Sequence, residues 1–124
     1  MYSTAALTEQ IERNNHQFLL AKDETGYLGY ASYELHYKNQ GKTKIHKIYV
    51  MPSAQGKGVG KELINRIEFI ASTKNNSILS LNVYRNNPAI QFYQKIGFMK
   101  AGEEKIDVGN GFVMDDFVME KSIA

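Results

Sequence analysis

The sequence of 124 residues contains no cysteine, no tryptophan and only two prolines. The absence of cysteine excludes disulfides, thiolate-ligated metal sites and cysteine nucleophiles. The three histidines, His16, His36 and His46, lack the spacing of a helical metal motif, so we expect no metal. No run approaches the ~20 apolar residues of a membrane span. Residues 1–4 do not open a basic-then-apolar signal segment, so we expect a cytoplasmic protein without a membrane partner.

Neither sign of charge is in large excess, because 15 Lys and Arg residues against 13 Asp and Glu residues give a net charge of +2. A dedicated nucleic-acid binder carries a much denser basic stripe, so we expect no nucleic-acid partner. The weaker hypothesis of a nucleic-acid-binding domain would rest on a patch formed by Lys38, Lys42, Lys44, Lys47, Lys57 and Lys61. The hydrophobic share of 43% is enough for a core. The length predicts one domain, residues 1–124.

Hydrophobic periodicity predicts how the first half of the chain folds. Leu7 and Ile11 predict a short helix over Thr4–Arg13, with Ser3 or Thr4 as its cap. Three strands follow as an antiparallel meander, over Gln17–Lys22, Tyr27–Tyr37 and Lys44–Met51. Strict alternation in the third strand places His46, Ile48 and Val50 on one face, and Ile45, Lys47 and Tyr49 on the other.

The second half begins with a change of period. Apolar residues at helical spacing predict a long helix over Lys57–Thr73, and Ile78–Val83 predicts a parallel strand after it. Asn87 and Pro88 begin a second helix that ends at Gly97, and a hairpin joins Met99–Val108 to Phe112–Lys121. The predicted fold is an α/β domain of the α+β type. Its mixed sheet is antiparallel at both ends and parallel in the middle.

Three alternate glycines lie between the third strand and the long helix, at Gly56, Gly58 and Gly60. Glycines there leave backbone N–H groups uncovered at a helix N-terminus, and Lys57 and Lys61 add positive charge, so the segment favours a phosphate ligand. The P-loop of nucleotide hydrolases requires Ser or Thr where Glu62 stands. The dinucleotide fingerprint requires glycine where Lys61 or Leu63 stands.

Two motifs give the chain a resemblance to the GNAT superfamily of acetyl-CoA-dependent N-acetyltransferases. Gln55–Gly60 resembles the family's Q-x-x-G-x-G pyrophosphate loop, and Asn86–Phe98 resembles its later strand-to-helix segment. The C-terminal stretch Asp107–Lys121 is similar to the closing hairpin of bacterial spermidine or diamine acetyltransferases. The resemblance implies a GNAT fold shortened at its N-terminus, without the family's first strand and helix.

The resemblance also implies the roles of particular residues. Backbone amides of Gly56–Lys61 would hold the CoA pyrophosphate, the strand end at Ile48–Val50 would bond the pantetheine arm, and Asn86 would contact the cofactor. Tyr93 would be the general acid that protonates the departing CoA thiolate, and a phenol is protonated at neutral pH. The cofactor-binding residues so implied are Ile48, Tyr49, Val50, Gln55, Gly56, Lys57, Gly58, Val59, Gly60, Lys61, Asn86 and Tyr93.

The general base is an open choice between two residues. His46 is the first candidate, because imidazole titrates near neutral pH and the serotonin N-acetyltransferases carry a histidine at the matching strand position. Glu34 on the preceding strand is the alternative. Histone-type relatives place a glutamate where this chain has Lys44, and a chain of water molecules is a third route.

The leading hypothesis is an N-acetyltransferase in which a primary amine attacks acetyl-CoA directly in a ternary complex. Small amines, polyamines and peptide amines all remain possible acceptors. Asp115 and Asp116 could attract a cation, although paired carboxylates are more often solvated. The alternative hypothesis is a non-catalytic acyl-CoA-binding module. An uncovered sheet edge suggests a homodimer.

Overall fold

The computed structural model describes the backbone of residues 7–13 and all atoms of residues 16–124. These residues form seven strands and two α-helices. Their bounds are β1 (Leu7–Arg13), β2 (His16–Asp23), β3 (Gly26–Glu34), β4 (Lys42–Val50), α1 (Val59–Thr73), β5 (Ile78–Tyr84), α2 (Ala89–Lys95), β6 (Met99–Gly109) and β7 (Phe112–Ser122). Neither helix in this part of the chain is long and apolar enough to cross a membrane.

One seven-stranded sheet has the order β1-β2-β3-β4-β5-β7-β6. Strands β4 and β5 pair in parallel, and every other neighbouring pair is antiparallel. A parallel pair needs a long crossover, and α1 provides it between β4 and β5. The predicted mixed sheet, its opening meander and its closing hairpin are therefore confirmed.

The prediction of a helix over Thr4–Arg13 is wrong for Leu7–Arg13, which is strand β1. This strand pairs with β2 in a continuous register from Leu7 opposite Lys22 to Arg13 opposite His16. Two apolar residues four positions apart fit a helix period of 3.6 and a strand period of 2 equally well. An isolated helix of about ten residues is marginal in water, whereas the edge of β2 offers a complete ladder of hydrogen bonds. A strand thus precedes the meander, contrary to our expectation, and the predicted caps Ser3 and Thr4 lie outside the described residues.

Helix α1 covers one face of the sheet. Its buried stripe packs against β2, β3 and β4, and comprises Val59, Leu63, Ile64, Ile67 and Ala71. Helix α2 lies on the same side, because the Phe92 ring comes within 3.7 Å of where a Cβ on Gly60 would stand. Neither of these helices covers the opposite face of the sheet, which we call the open face.

A β-bulge in β4 overturns the predicted alternation of its side chains. Tyr33 pairs with Ile45, and Ser32 pairs with Lys47, so His46 is an extra residue. Residues directly opposite one another share a face, and the bulge therefore moves Ile45 onto the α1 face together with Ile48. His46 is left on the open face, separated from Ile48, with which it was predicted to lie.

Buried Asn76, between α1 and β5, forms hydrogen bonds to strand β4 and to the connection between β3 and β4. Its side-chain oxygen accepts hydrogen bonds from the Thr43 hydroxyl at 2.7 Å and from the backbone N–H of His36 at 2.9 Å. Its amide nitrogen also contacts the His36 ring at 2.9 Å. His36 is therefore held by structural contacts just before β4.

Candidate functional site

A slot opens in the middle of the sheet where β4 and β5 separate. Their parallel pairing runs from Lys42 opposite Ile78 to Ile45 opposite Leu81 and stops there. The bulge at His46 follows immediately on β4, while β5 continues to pair with β7 as far as Tyr84. The resulting cavity of about 320 Å³ is lined by Ile45, His46, Lys47, Ile48, Leu81, Asn82, Val83, Tyr84, Asn87, Tyr93, Met114 and Asp116.

A groove of about 550 Å³ lies beside the slot, between β4, the glycine-rich loop and α2. Gly56 and Gly58 have φ values of 80° and 81°, a backbone conformation that favours glycine. The Gln55 side chain donates a hydrogen bond to the Val50 carbonyl at 3.2 Å, which joins the loop to the end of β4. The groove is lined by Ile48, Val50, Gln55, Gly56, Gly58, Gly60, Lys61, Ala89, Phe92 and Tyr93.

The first turn of α1 gives this groove an anion-binding end. Gly58 is the N-cap of α1 and has no side chain to cap the helix. The first N–H groups of a helix have no intrahelical acceptor, and the helix dipole adds positive potential there. Lys61 on the same turn contributes a further positive charge. These donors fit a phosphate group.

Tyr93 on α2 lines both the groove and the slot. Its ring packs edge-on against Phe92 and Phe98, with centroid distances of 5.4 and 5.8 Å. Burial raises the pKa of the Tyr93 phenol above its ordinary value of about 10. The phenol is therefore protonated at neutral pH and available as a proton donor where the two cavities meet.

His46 and Glu34 are brought together on the open face, and His16 joins them. The Glu34 carboxylate lies 3.1 Å from His46 Nε2 and 3.5 Å from His16 Nε2, and the two rings stack with centroids 4.4 Å apart. Burial lowers the pKa of His46, and the hydrogen bond to Glu34 opposes that shift. His46 is therefore chiefly neutral at pH 7. No role was predicted for His16, because no motif matches it and it lies at the end of a segment, where exposed polar residues are common.

This cluster also has the spacing of a metal site, since the three side chains offer ligand atoms within 4.8 Å of one another. Two imidazoles and a carboxylate are a donor set that suits zinc. A hydrogen bond from the His46 imidazole N–H to the Glu34 carboxylate, with His16 stacked on His46, explains the same contacts without an ion.

The predicted cofactor-binding residues divide into two groups. Eight of them line the groove, whereas Tyr49, Lys57, Val59 and Asn86 do not. Tyr49 lies beside Tyr30, with ring centroids 5.9 Å apart, and Val59 is buried in the core. Lys57 lines a separate cavity near the β2–β3 turn, and Asn86 is exposed, donating to the Tyr84 hydroxyl at 3.3 Å.

Phe92 and Ala89 line the groove, and no role at the site was predicted for them although both belong to the Asn86–Phe98 motif. Asn82 lines the slot from β5 and was missed, because strand pairing brings it there and no local signal marks it. Of the two acids that the sequence suggested could attract a cation, Asp116 lines the slot and Asp115 does not.

The comparisons with known proteins agree on one family. Residues 1–98 match the sequence model of the acetyltransferase (GNAT) family. A mycothiol acetyltransferase from Renibacterium salmoninarum is 35% identical over 88 residues, which cover 67% of this chain and 26% of that protein. The match thus spans about a quarter of the curated relative's length.

Two solved structures show the same fold. PaiA N-acetyltransferase from Thermoplasma acidophilum, in complex with coenzyme A, is 28% identical with a TM-score of 0.69, covering 87% of this chain and 61% of that one. The spermidine/spermine N-acetyltransferase SpeG from Vibrio cholerae is 26% identical with a TM-score of 0.73, covering 90% of this chain and 68% of that one. The predicted GNAT fold and the resemblance to spermidine acetyltransferases are both confirmed.

Proposed function

This chain belongs to the acetyltransferase (GNAT) family, and we propose that it transfers an acetyl group from acetyl-CoA to a primary amine. One observation carries the proposal. The groove with the anion-binding helix end and the slot through the sheet meet at Tyr93 and Ile48, which line both cavities, and Tyr93 is the one of the two that carries a proton donor. A thioester at that junction is reachable from the open face, while its phosphates lie at the loop.

The groove supplies a site for the pyrophosphate and for the pantetheine arm of acetyl-CoA. The N–H groups at the start of α1 and the Lys61 ammonium suit the pyrophosphate. Ile48 and Val50 line the path from the loop to the slot, where an extended strand edge suits the amide groups of pantetheine. The CoA complex of the PaiA N-acetyltransferase supports this proposal.

Three side chains of this protein divide the chemistry. The acceptor enters the slot from the open face, and neutral His46 takes a proton from its ammonium, with Glu34 orienting the imidazole. The neutral amine nitrogen then forms a bond to the thioester carbonyl carbon as the carbon–sulfur bond breaks, and the second proton that the nitrogen loses in becoming an amide passes to solvent. Tyr93 gives its phenolic proton to the departing thiolate and regains a proton from solvent. No acyl-enzyme is needed, and the chain has no cysteine to form one.

The acceptor that we propose is a small primary amine. SpeG is a spermidine/spermine acetyltransferase, and its likeness to this chain supports polyamines as the first acceptors to examine. The slot of about 320 Å³ suits a single alkyl chain better than a folded protein surface.

Calorimetric titration with acetyl-CoA tests the first half of the proposal, with free CoA and ATP as controls. We expect saturable binding of acetyl-CoA and CoA and none of ATP. Release of the CoA thiol in the presence of primary amines tests the second half. Binding without release from any amine would favour the alternative of a non-catalytic acyl-CoA-binding module.

A further inference from the structure

Asp116 on β7 carries a buried carboxylate oxygen without a partner. Its side chain lines the slot, only 7% of the residue is exposed, and Oδ1 has no hydrogen-bond partner within the all-atom part of the structure. Burial of a charged or polar atom without a hydrogen bond is costly, so such groups are rare outside functional sites. The position of this oxygen therefore calls for a donor that the side chains of residues 16–124 do not supply.

The charged groups around Asp116 leave that need unmet. Lys44 on β4 is buried and is attracted electrostatically by Asp116, but its ammonium donates its hydrogen bond to the Asn82 side-chain oxygen, and the Asn82 amide donates to Glu104 on β6 at 2.6 Å. Lys42 is bound to Glu120 at 2.7 Å. Lys47 lines the same slot but is exposed. Asp116 is thus the carboxylate left open in the slot.

We propose that Asp116 binds a second ammonium group of the acceptor, not the one that reacts, and so selects acceptors that carry a further positive charge. An ammonium has three N–H donors, and one of them restores the hydrogen bond that Oδ1 lacks. Asp116 lies on the open-face side of the sheet, between Tyr84 on β5 and Glu104 on β6. The acceptor is thereby held on the opposite side of the slot from the helix that carries Tyr93. This inference rests on the proposed acetyl transfer.

Asp116→Asn tests the proposal against a matched control, Asp115→Asn. Both changes remove one negative charge, but Asp115 is the next residue on β7 and faces the other side of the sheet. Steady-state rates of CoA release are measured with acetyl-CoA and 1,4-diaminobutane. We expect Asp116→Asn to raise the KM of the amine by about 30-fold, because a buried charge pair loses one partner. The KM of acetyl-CoA, and both KM values of Asp115→Asn, should stay within about twofold of wild type.

Hydroxylamine is the second probe, since it is a nitrogen nucleophile that is largely neutral at about pH 7.5. Asp116→Asn should leave its KM unchanged. An unchanged KM for 1,4-diaminobutane in Asp116→Asn, or equal losses with both nucleophiles, would overturn the role of Asp116. Wild-type protein that binds no acetyl-CoA, or releases no CoA with either nucleophile, would instead overturn the proposed function.

Thermal unfolding shows whether the Asp116→Asn variant is folded. Because Asn removes an uncompensated buried charge, the Tm of Asp116→Asn should equal or exceed that of wild type. If the Asp116→Asn variant does not unfold in a cooperative thermal transition, Asp116→Ser replaces it. Serine is smaller and neutral, and we expect the same loss of amine affinity.

Discussion

In the proposed mechanism, single side chains at the junction of groove and slot perform the chemical steps, with Tyr93 as the acid. The ring is wedged between Phe92 and Phe98, and burial raises the pKa of its phenol. Those contacts come from the ring, not from the hydroxyl. The hydroxyl can therefore be removed without disturbing the packing that holds α2 against the sheet.

Tyr93→Phe should lower kcat by about 10²-fold and leave acetyl-CoA affinity unchanged, because proton donation typically contributes about 10²-fold or more and the ring packing is kept. Steady-state kinetics measures kcat, and calorimetry on the same sample measures the affinity for acetyl-CoA. A variant with wild-type kcat would remove Tyr93 from the mechanism. Tyr84→Phe is the control, since Tyr84 also lines the slot but is not assigned the acid role.

His46 should give the enzyme its acidic pH limb. A base must be neutral to act, and the His46 pKa is lowered by burial, with Glu34 opposing and His16 and Lys44 reinforcing the shift. As pH falls through that lowered pKa, the imidazole is protonated and kcat is lost. We therefore expect kcat to be flat around neutrality and to fall only below about pH 6.5.

His46→Gln is expected to reduce kcat by about 10²-fold and to abolish this limb of the profile. His36→Asn serves as its control, because His36 lies at the Asn76 connection and Asn tolerates the left-handed backbone at that position. A pH profile of His46→Gln that matches wild type would transfer the base role to another group or to water.

At the scale of elements, the end of β4 is shaped by its contact with β3. Gly29 pairs with Val50, and a Cβ on Gly29 would stand closer than 3.0 Å to the backbone oxygen of Tyr49. That oxygen is backbone and cannot move aside as a flexible side chain would. The strand edge that we assign to pantetheine therefore depends on a glycine in the neighbouring strand.

Gly29→Ala should destabilise the protein by about 1–3 kcal/mol, since overpacking against backbone forces β3 and β4 apart. The displaced edge should also raise the acetyl-CoA Kd by about tenfold or more. Gly102→Ala is the matched control, because no atom lies within 4 Å of a Cβ at that position. Chemical denaturation and calorimetry measure the two effects. Equal behaviour of the two variants would show that the close approach at Gly29 is unimportant.

At the scale of the whole molecule, one end of the sheet exposes apolar side chains. Val108, Phe112, Val113 and Met114 are large, exposed and clustered on the β6–β7 hairpin. Strand β6 is also the last strand of the sheet, so one edge of its backbone is unpaired within the described residues. Exposed apolar patches and open edges are features of protein interfaces.

We expect a homodimer in solution that this hairpin mediates. Light scattering coupled to size exclusion should give the mass of two chains for wild type, and the double substitution Phe112→Ser with Val113→Ser should give the mass of one. Phe69→Ser is the control, since Phe69 is an exposed aromatic residue on α1. A wild-type mass of one chain across the concentration range would refute the dimer.

Much of the architecture could be predicted because it depends on short-range patterns. Alternation and turn residues located β2, β3 and the closing hairpin, and helical spacing located α1, although the helix begins at Val59 and not at Lys57. The glycine-rich loop and Tyr93 were each found from a motif that is short and local in the sequence. The ends of these elements shifted because pairing and capping set them.

The arrangement of the site was decided by tertiary contacts. The bulge at His46 appears only when β4 is paired with β3, and the assignment of Leu7–Arg13 to a strand required β2 as its neighbour. Pairing of β7 with β5 buries Asp116 beside Tyr84 and gives its carboxylate an open oxygen.

The sequence by itself therefore determined the order of the elements from β2 onward, the position of the glycine-rich loop and the family. The tertiary structure alone decided which distant side chains share the slot. The physical reason is that propensity and periodicity act over a few residues, whereas burial and the loss of hydrogen-bond partners depend on strands brought together from distant parts of the chain.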